Sequence, residues 1–218
     1  LSGCSASVEL GDTTRRTAVD TPPADGITSI AIDTENGAVD VRGEDVDRIE
    51  IESIFDERES GDGDADITTT GKRITVTGTC DNDWFESCSV GFRIVVPTGM
   101  RVEVDSENGR IELMSLDGTI DASTNNGAID AIDLGAADVR LRSDNGAIEA
   151  VFVEAPGTAE ARSDNGAVDS TVPTGETVYR VDAASANGDV DTDVTTSPDA
   201  DRTIVAHSDN GRVTVTPG

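Results

Sequence analysis

A short phrase, Ser or Thr followed by any residue and then Asn-Gly, constrains this chain's fold more than any other feature. It centres on Asn36, Asn108, Asn126, Asn145, Asn165 and Asn210, and with Ser185-Ala186-Asn187-Gly188 it occurs seven times. From Asn108 onward the Asn-to-Asn spacings are 18, 19, 20, 22 and 23 residues, whereas Asn36 and Asn108 lie 72 apart. Apolar residues keep a period of two on both sides of the phrase. Ile30 and Ile32, Val102 and Val104, Val139 and Leu141, and Ile204 and Ala206 precede it; Val39 and Val41, Ile111 and Leu113, Ile129 and Ala131, and Val213 and Val215 follow. That alternation marks strands with one buried face. Each unit closes on a second turn, as at Leu116-Asp117-Gly118-Thr119, Ala155-Pro156-Gly157-Thr158 or Pro173-Thr174-Gly175.

Two folds satisfy this pattern. Asn-Gly between alternating runs is a strong signal for a two-residue hairpin, which would build an antiparallel sandwich or meander. A β-solenoid, with each unit of about 18–23 residues forming one coil on its neighbours, is the alternative. The solenoid is favoured because it explains why the same dipeptide and the same preceding Ser/Thr recur at every other turn. Equivalent residues then stack about 4.8 Å apart, and Asn side chains can hydrogen-bond along the stack. The ladder expected is Asn108, Asn126, Asn145, Asn165, Asn187 and Asn210, with glycine supplying positive φ at the corner.

The reading divides the chain into residues 1–4, a flexible tether over 5–26, an irregular N-terminal β section over 27–99, and an Asn-Gly solenoid over 100–218. The tether expectation rests on weak apolar periodicity and on Thr21-Pro22-Pro23-Ala24-Asp25-Gly26. Leu1-Ser2-Gly3-Cys4 resembles a lipobox, which would place a lipid on Cys4 and hold the protein on the membrane outside the cytoplasm. Cys80 and Cys88 flank Asp81-Asn82-Asp83-Trp84-Phe85-Glu86-Ser87 between two apolar runs, and a disulfide closing that tip suits an extracytoplasmic setting. Trp84 and Phe85 then either seal an end of the solenoid or form a binding tip.

Charge narrows the partners. Forty-four acidic and 16 basic residues leave a formal charge of −28, and nucleic acid is excluded because phosphate binding needs clustered Lys and Arg. Lys72 is the only lysine, a balance that looks halophilic: hydrated carboxylates keep a surface soluble in molar salt, where screening acts within about 3 Å. With six aromatics, the core must be built from Val, Ile and Ala.

The tandem Ser/Thr-x-Asn-Gly-x-Ile/Val-x-Val units resemble the putative-adhesin β-repeat family over about residues 27–216, and the acidity and lipobox look like its halophilic archaeal members. The resemblance implies a β-solenoid on the cell surface and hands over no catalytic residue.

No nucleophile elbow, HExxH, P-loop or dinucleotide motif occurs, so no motif-defined enzyme class is indicated. A polysaccharide-cleaving β-helix using Asp, Arg and Ca²⁺ is the enzymatic alternative. His207, the single histidine, is expected on the outer face without a paired acid. Glu112, Asp130, Glu149, Asp169 and Asp191 each follow an inward apolar residue and are expected in one outward column, partly relieved by Arg140, Arg142 and Arg162. Such a stripe either is a solvated surface or collects Ca²⁺ or another cation. The functions that follow are a non-catalytic adhesin-like or envelope-assembly module, whose partner is an envelope protein or glycan, or a module that binds glycan or peptide.

Overall fold

The computed structural model describes residues 4–10, 13–58, 62–81 and 88–218. They form twenty strands. In chain order these are β1 (Cys4–Leu10), β2 (Thr13–Asp20), β3 (Ser29–Thr34), β4 (Val39–Glu44), β5 (Glu50–Arg58), β6 (Asp62–Thr70), β7 (Arg73–Asp81), β8 (Cys88–Pro97), β9 (Arg101–Ser106) and β10 (Ile111–Met114). They continue with β11 (Ile120–Thr124), β12 (Ile129–Leu134), β13 (Asp138–Ser143), β14 (Ile148–Phe152), β15 (Thr158–Ser163), β16 (Val168–Val172), β17 (Tyr179–Ser185), β18 (Val190–Thr192), β19 (Arg202–Ser208) and β20 (Val213–Pro217).

The fold is a β-solenoid of two sheets. One has eleven strands in the order β1-β2-β5-β8-β4-β10-β12-β14-β16-β20-β18, the other nine in the order β17-β19-β15-β13-β11-β9-β3-β7-β6. A coil runs along a strand of the nine-stranded sheet, turns at Asn-Gly, and returns along a strand of the eleven-stranded sheet. Equivalent residues pair in parallel, as Ile111 with Ile129 and Val104 with Ala122. Asn-Gly therefore links two different sheets rather than closing hairpins. Residues at alternate positions point between the sheets, and Ile32, Val41, Leu113, Ala131, Leu141, Ala150 and Ala206 are buried in one continuous core. Each fully buried Ile or Leu contributes about 1.5–3 kcal/mol.

The corner glycines are required for a reason other than the one expected. They do not adopt positive φ; among the described residues the glycines that do are Gly26, Gly71 and Gly175, none at an Asn-Gly corner. The corners of successive coils instead approach backbone to backbone. A Cβ on Gly109 would overlap the carbonyl oxygen of Gly37, one on Gly127 that of Gly109, and one on Gly146 that of Gly127. In five of the seven units the Ser/Thr two positions before the Asn serves the same contact. Ser143 donates its hydroxyl to Gly127 O at 2.8 Å, Ser163 to Gly146 O at 2.8 Å and Ser208 to Gly166 O at 2.8 Å, all almost wholly buried.

Coil order departs from chain order at both ends. β19 lies between β15 and β17, and β20 between β16 and β18, so the last coil sits inside the stack and the penultimate coil closes it. At the other end β3 lies between β7 and β9, and β4 between β8 and β10. The section 27–99 is thus part of the stack: β3–β4 is an internal coil and β7–β8 the coil outside it. The 72-residue interval holds that outer coil together with antiparallel strands. β5 pairs with β8, and β6 with β7.

The tether expectation is corrected over most of its length. β1 and β2 pair antiparallel, and β2 pairs with β5 from Thr13↔Arg58 to Asp20↔Ile51. Arg16 explains why the pattern was hidden, because its guanidinium stacks 3.7 Å from the centre of the Phe55 ring where an apolar residue would be expected.

Candidate functional site

The chemistry-bearing side chains of a solenoid lie in rows, because equivalent outward positions of successive coils are neighbours. The corner row is hydrogen-bonded. The Asn108 side-chain amide donates to Asn36 Oδ1 at 3.0 Å, Asn126 to Asn108 at 2.8 Å, Asn145 to Asn126 at 3.0 Å and Asn165 to Asn145 at 3.0 Å. Asn210 then donates to Asn165 at 2.9 Å, and Asn187 to Asn210 at 3.0 Å. The ladder expected from Asn108 to Asn210 thus also includes Asn36, and its last two members are exchanged. Each Asn serves as donor and acceptor in turn, so an interior member satisfies two neighbours.

Four residues past each Asn lies the carboxylate row. Register places Arg93, Asp40, Glu112, Asp130, Glu149, Asp169, Thr214 and Asp191 side by side in that order. Four of the five expected carboxylates are contiguous; Asp191 is separated from Asp169 by Thr214, whose hydroxyl bonds Asp169. Relief of the crowding does not come from Arg140, Arg142 and Arg162, which lie on β13 and β15 in the other sheet. Arg110 supplies it, at 2.8 Å from Glu112 and 2.5 Å from Asp130. Glu149 makes no ion pair among the described residues. Nor do three carboxylate, His or Cys side chains gather there, or elsewhere in the described residues, as a metal-binding cluster.

Flanking this row on the same outer face is a row six residues past the Asn. It contains Val95, Arg42, Met114 and Ile132, continues opposite a bulge to Val151, and ends on Thr171 and Thr216. On the other side of the carboxylates lie Ala128, Ala147 and Ala167. On β14 the outward residues are therefore Glu149 and Val151; Ala147 immediately precedes the strand, and Val153, just past its end, is 58% exposed.

The nine-stranded sheet presents a different surface. Its outward residues interleave Arg with Asp and Glu. Glu160 accepts from Arg142 at 2.9 Å and from Arg162 at 2.7 Å, and Arg140 lies between Asp121 and Glu160. Burial works against the charged form of Glu160, but the two Arg hydrogen bonds outweigh it and hold its carboxyl below the usual range. At Glu103 the hydrogen bonds from Arg73 and then Arg101 act in the same direction. His207 belongs to this network, contrary to the expectation of an unpaired surface histidine. Its Nδ1 lies 2.6 Å from Arg162 Nη1 and its Nε2 3.1 Å from Asp182 Oδ1. Arginine can only donate, so Nδ1 is the acceptor in the contact with Arg162.

Cys80 and Cys88 form a disulfide, which ties together the two ends of the segment containing Trp84 and Phe85. Those two residues lie outside the described residues. Cys4 is the first residue of β1. Arg110 and the Arg162–His207–Asp182 contact were missed by the sequence reading. Arg110 carried a usable signal, being two residues before Glu112; the Arg162–His207 contact did not, because it depends on the exchanged order that sets β19 beside β15.

The sequence matches the family profile described as Toastrack DUF4097 over residues 15–216. Among solved structures, a "putative cell adhesion protein" from Clostridium sporogenes ATCC 15579 superposes with a TM-score of 0.52 at 9% identity, covering 94% of this chain and 100% of that one. A "putative adhesin" from Bacteroides fragilis NCTC 9343 superposes with a TM-score of 0.50 at 10% identity, covering 93% of this chain and 97% of that one. At such identities the likeness concerns the fold. No functionally curated protein matches the sequence.

Proposed function

The chain belongs to the Toastrack DUF4097 family, and from that premise we propose that it is a non-catalytic module of the cell envelope, lipid-anchored through Cys4 outside the cytoplasm and acting in adhesion or assembly. The observation that carries this reading is the display of equivalent outward positions in rows that cross the stack, which suits an extended partner better than a small substrate held by convergent groups. The Cys80–Cys88 disulfide supports an extracytoplasmic setting. The two structural neighbours described as adhesion proteins support a surface role.

The test is fractionation of cells expressing the tagged full-length protein, with surface proteolysis of intact cells. Membrane-bound, protease-accessible protein that is released by Cys4→Ser is the expected result. Protein that stays in the cytosol with Cys4 intact overturns the reading.

The disulfide also favours a second reading, in which the tied segment recognises glycan or peptide through Trp84 and Phe85. Saturable binding on a glycan array that is lost on Trp84→Ala would support it; unchanged binding would not.

A further inference from the structure

We propose that the outer face of the eleven-stranded sheet is a docking surface for a cationic amphipathic helix of a partner protein, laid across the strands along the solenoid axis. The proposal deepens the envelope-module reading and rests on it. Three features of the face carry it.

The first is composition. Met114, Ile132 and Val151, each partly exposed, form a short apolar row beside the carboxylates, between Arg42 and Thr171. Val153 prolongs the apolar surface and is one of two large hydrophobic residues prominently exposed among the described residues. Burying that row excludes water from the neighbouring carboxylates and strengthens any charge contact made to them.

The second is sign. Glu149 has no cationic neighbour among the described residues, and Asp169 is met only by the Thr214 hydroxyl. A second copy of this chain would bring another −28 charges to the same face, so the occupant of complementary charge is a different, basic protein segment.

The third is spacing. Successive coils repeat about every 4.8 Å and successive helix turns about every 5.4 Å. Three coil steps from Glu112 to Asp169 span about 14 Å, and ten helical residues span about 15 Å. Lys or Arg at i, i+3, i+7 and i+10 can therefore follow the carboxylate row. The carboxylate and apolar rows are two residues apart along each strand, about 6.6 Å. That offset matches the angular offset between the polar edge and the apolar face of an amphipathic helix.

The test uses the full chain and a synthetic fourteen-residue Leu/Lys peptide patterned as an amphipathic helix, with fluorescence anisotropy as readout. A peptide of the same composition with its periodicity scrambled is the reference. Selective binding of the patterned peptide is expected. Glu149→Gln with Asp169→Asn should weaken it about fivefold. Val151→Thr with Val153→Thr, which leaves the charge intact, should weaken it by a similar factor. Asp33→Asn with Asp66→Asn removes two charges from the opposite sheet and should leave the affinity within twofold. Equal binding of the scrambled peptide, or equal weakening by the opposite-sheet pair, overturns the proposal, because attraction to net charge would then explain the result. Saturable Ca²⁺ binding at Glu149 and Asp169 with no selectivity between the peptides overturns it as well. The Cys4→Ser fractionation fails or succeeds separately, since it reads location and not the occupant of this face.

Discussion

Asn187 donates its side-chain amide to Asn210, a residue 23 positions later in the chain, at 3.0 Å. Asn165, the preceding member in sequence, bonds Asn210 as well. The last coil is thereby gripped on both sides, and the coil before it has a neighbour on one side only. Deleting residues 202–218 should therefore release more than it removes. Amides of 179–192 should exchange as rapidly as those of an unfolded segment, and proteases should cut within 173–201. Retained protection of β17 in the truncated protein would contradict the exchanged order.

The corner glycines can be tested against one that meets nothing. Gly127→Ala should destabilise by more than about 3 kcal/mol, since the new methyl overlaps backbone that cannot move without shifting a coil. Gly99→Ala, with no atom within 4 Å of the added carbon, should stay within about 0.5 kcal/mol. Urea titration of both variants measures the contrast, and similar midpoints would show that the corners can separate.

The buried hydroxyl row has one gap. Ser106 Oγ has no hydrogen-bond partner, while Ser143 Oγ reaches Gly127 O at 2.8 Å. Ser143→Ala should lose about 1 kcal/mol, whereas Ser106→Ala should be neutral or slightly stabilising. Asn126→Ala, which removes one bond to Asn108 and another from Asn145, should cost more than Asn187→Ala at the end of the ladder. Equal losses within either pair would disprove the bond assignment.

Adjacent carboxylates at about 4.8 Å repel by about 0.9 kcal/mol in bulk water, and the unfolded chain separates them. Melting temperature should rise steeply between tens of millimolar and molar KCl. Glu149→Gln should raise stability in low salt and flatten that slope, because it removes the central charge between Asp130 and Asp169 without breaking an ion pair. A melting temperature indifferent to KCl would remove the row as an energetic factor.

Acid should act through the other sheet. The carboxyls of Glu103 and Glu160 are held below the ordinary glutamate range by their Arg partners. A group whose folded pKa is depressed contributes stability that is present above its unfolded pKa and lost as pH falls through the folded one. Stability should therefore decline as pH drops below about 4.5. Glu103→Gln should flatten that decline while leaving the salt response intact. An unaltered acid limb in the variant would refute this assignment.

The coils from β9 to β16 were legible in full because each unit repeats the phrase, the parity and the closing turn, so Ile111, Ile129 and Ile148 could be aligned by counting. The exchange at each end was not, because an interval of 22 or 23 residues is the same whether Asn210 stacks on Asn187 from inside or outside. The role of the glycines was mistaken for a similar reason: a need for positive φ and a need for close approach select the same residue. β2 was hidden by Arg16, whose aliphatic stem and flat guanidinium cover Phe55 while its letter reads as a charge. Of the outward rows, the carboxylates were visible as a repeated position. Their isolation from Arg142 and Arg162 was not, since sequence parity gives the face of a strand but not which sheet it joins.

The interleaving of the end coils has a mechanical consequence. A stack whose chain ends were also its outer coils could be peeled from either end like tape, one row of hydrogen bonds at a time. Here a pull on Gly218 loads β20 in shear against β16 and β18 together, and the same pull, carried around the coil, loads β19 against β15 and β17. Four ladders must slip together before the first coil leaves, so the strand the force reaches first is a bolt seated inside the structure.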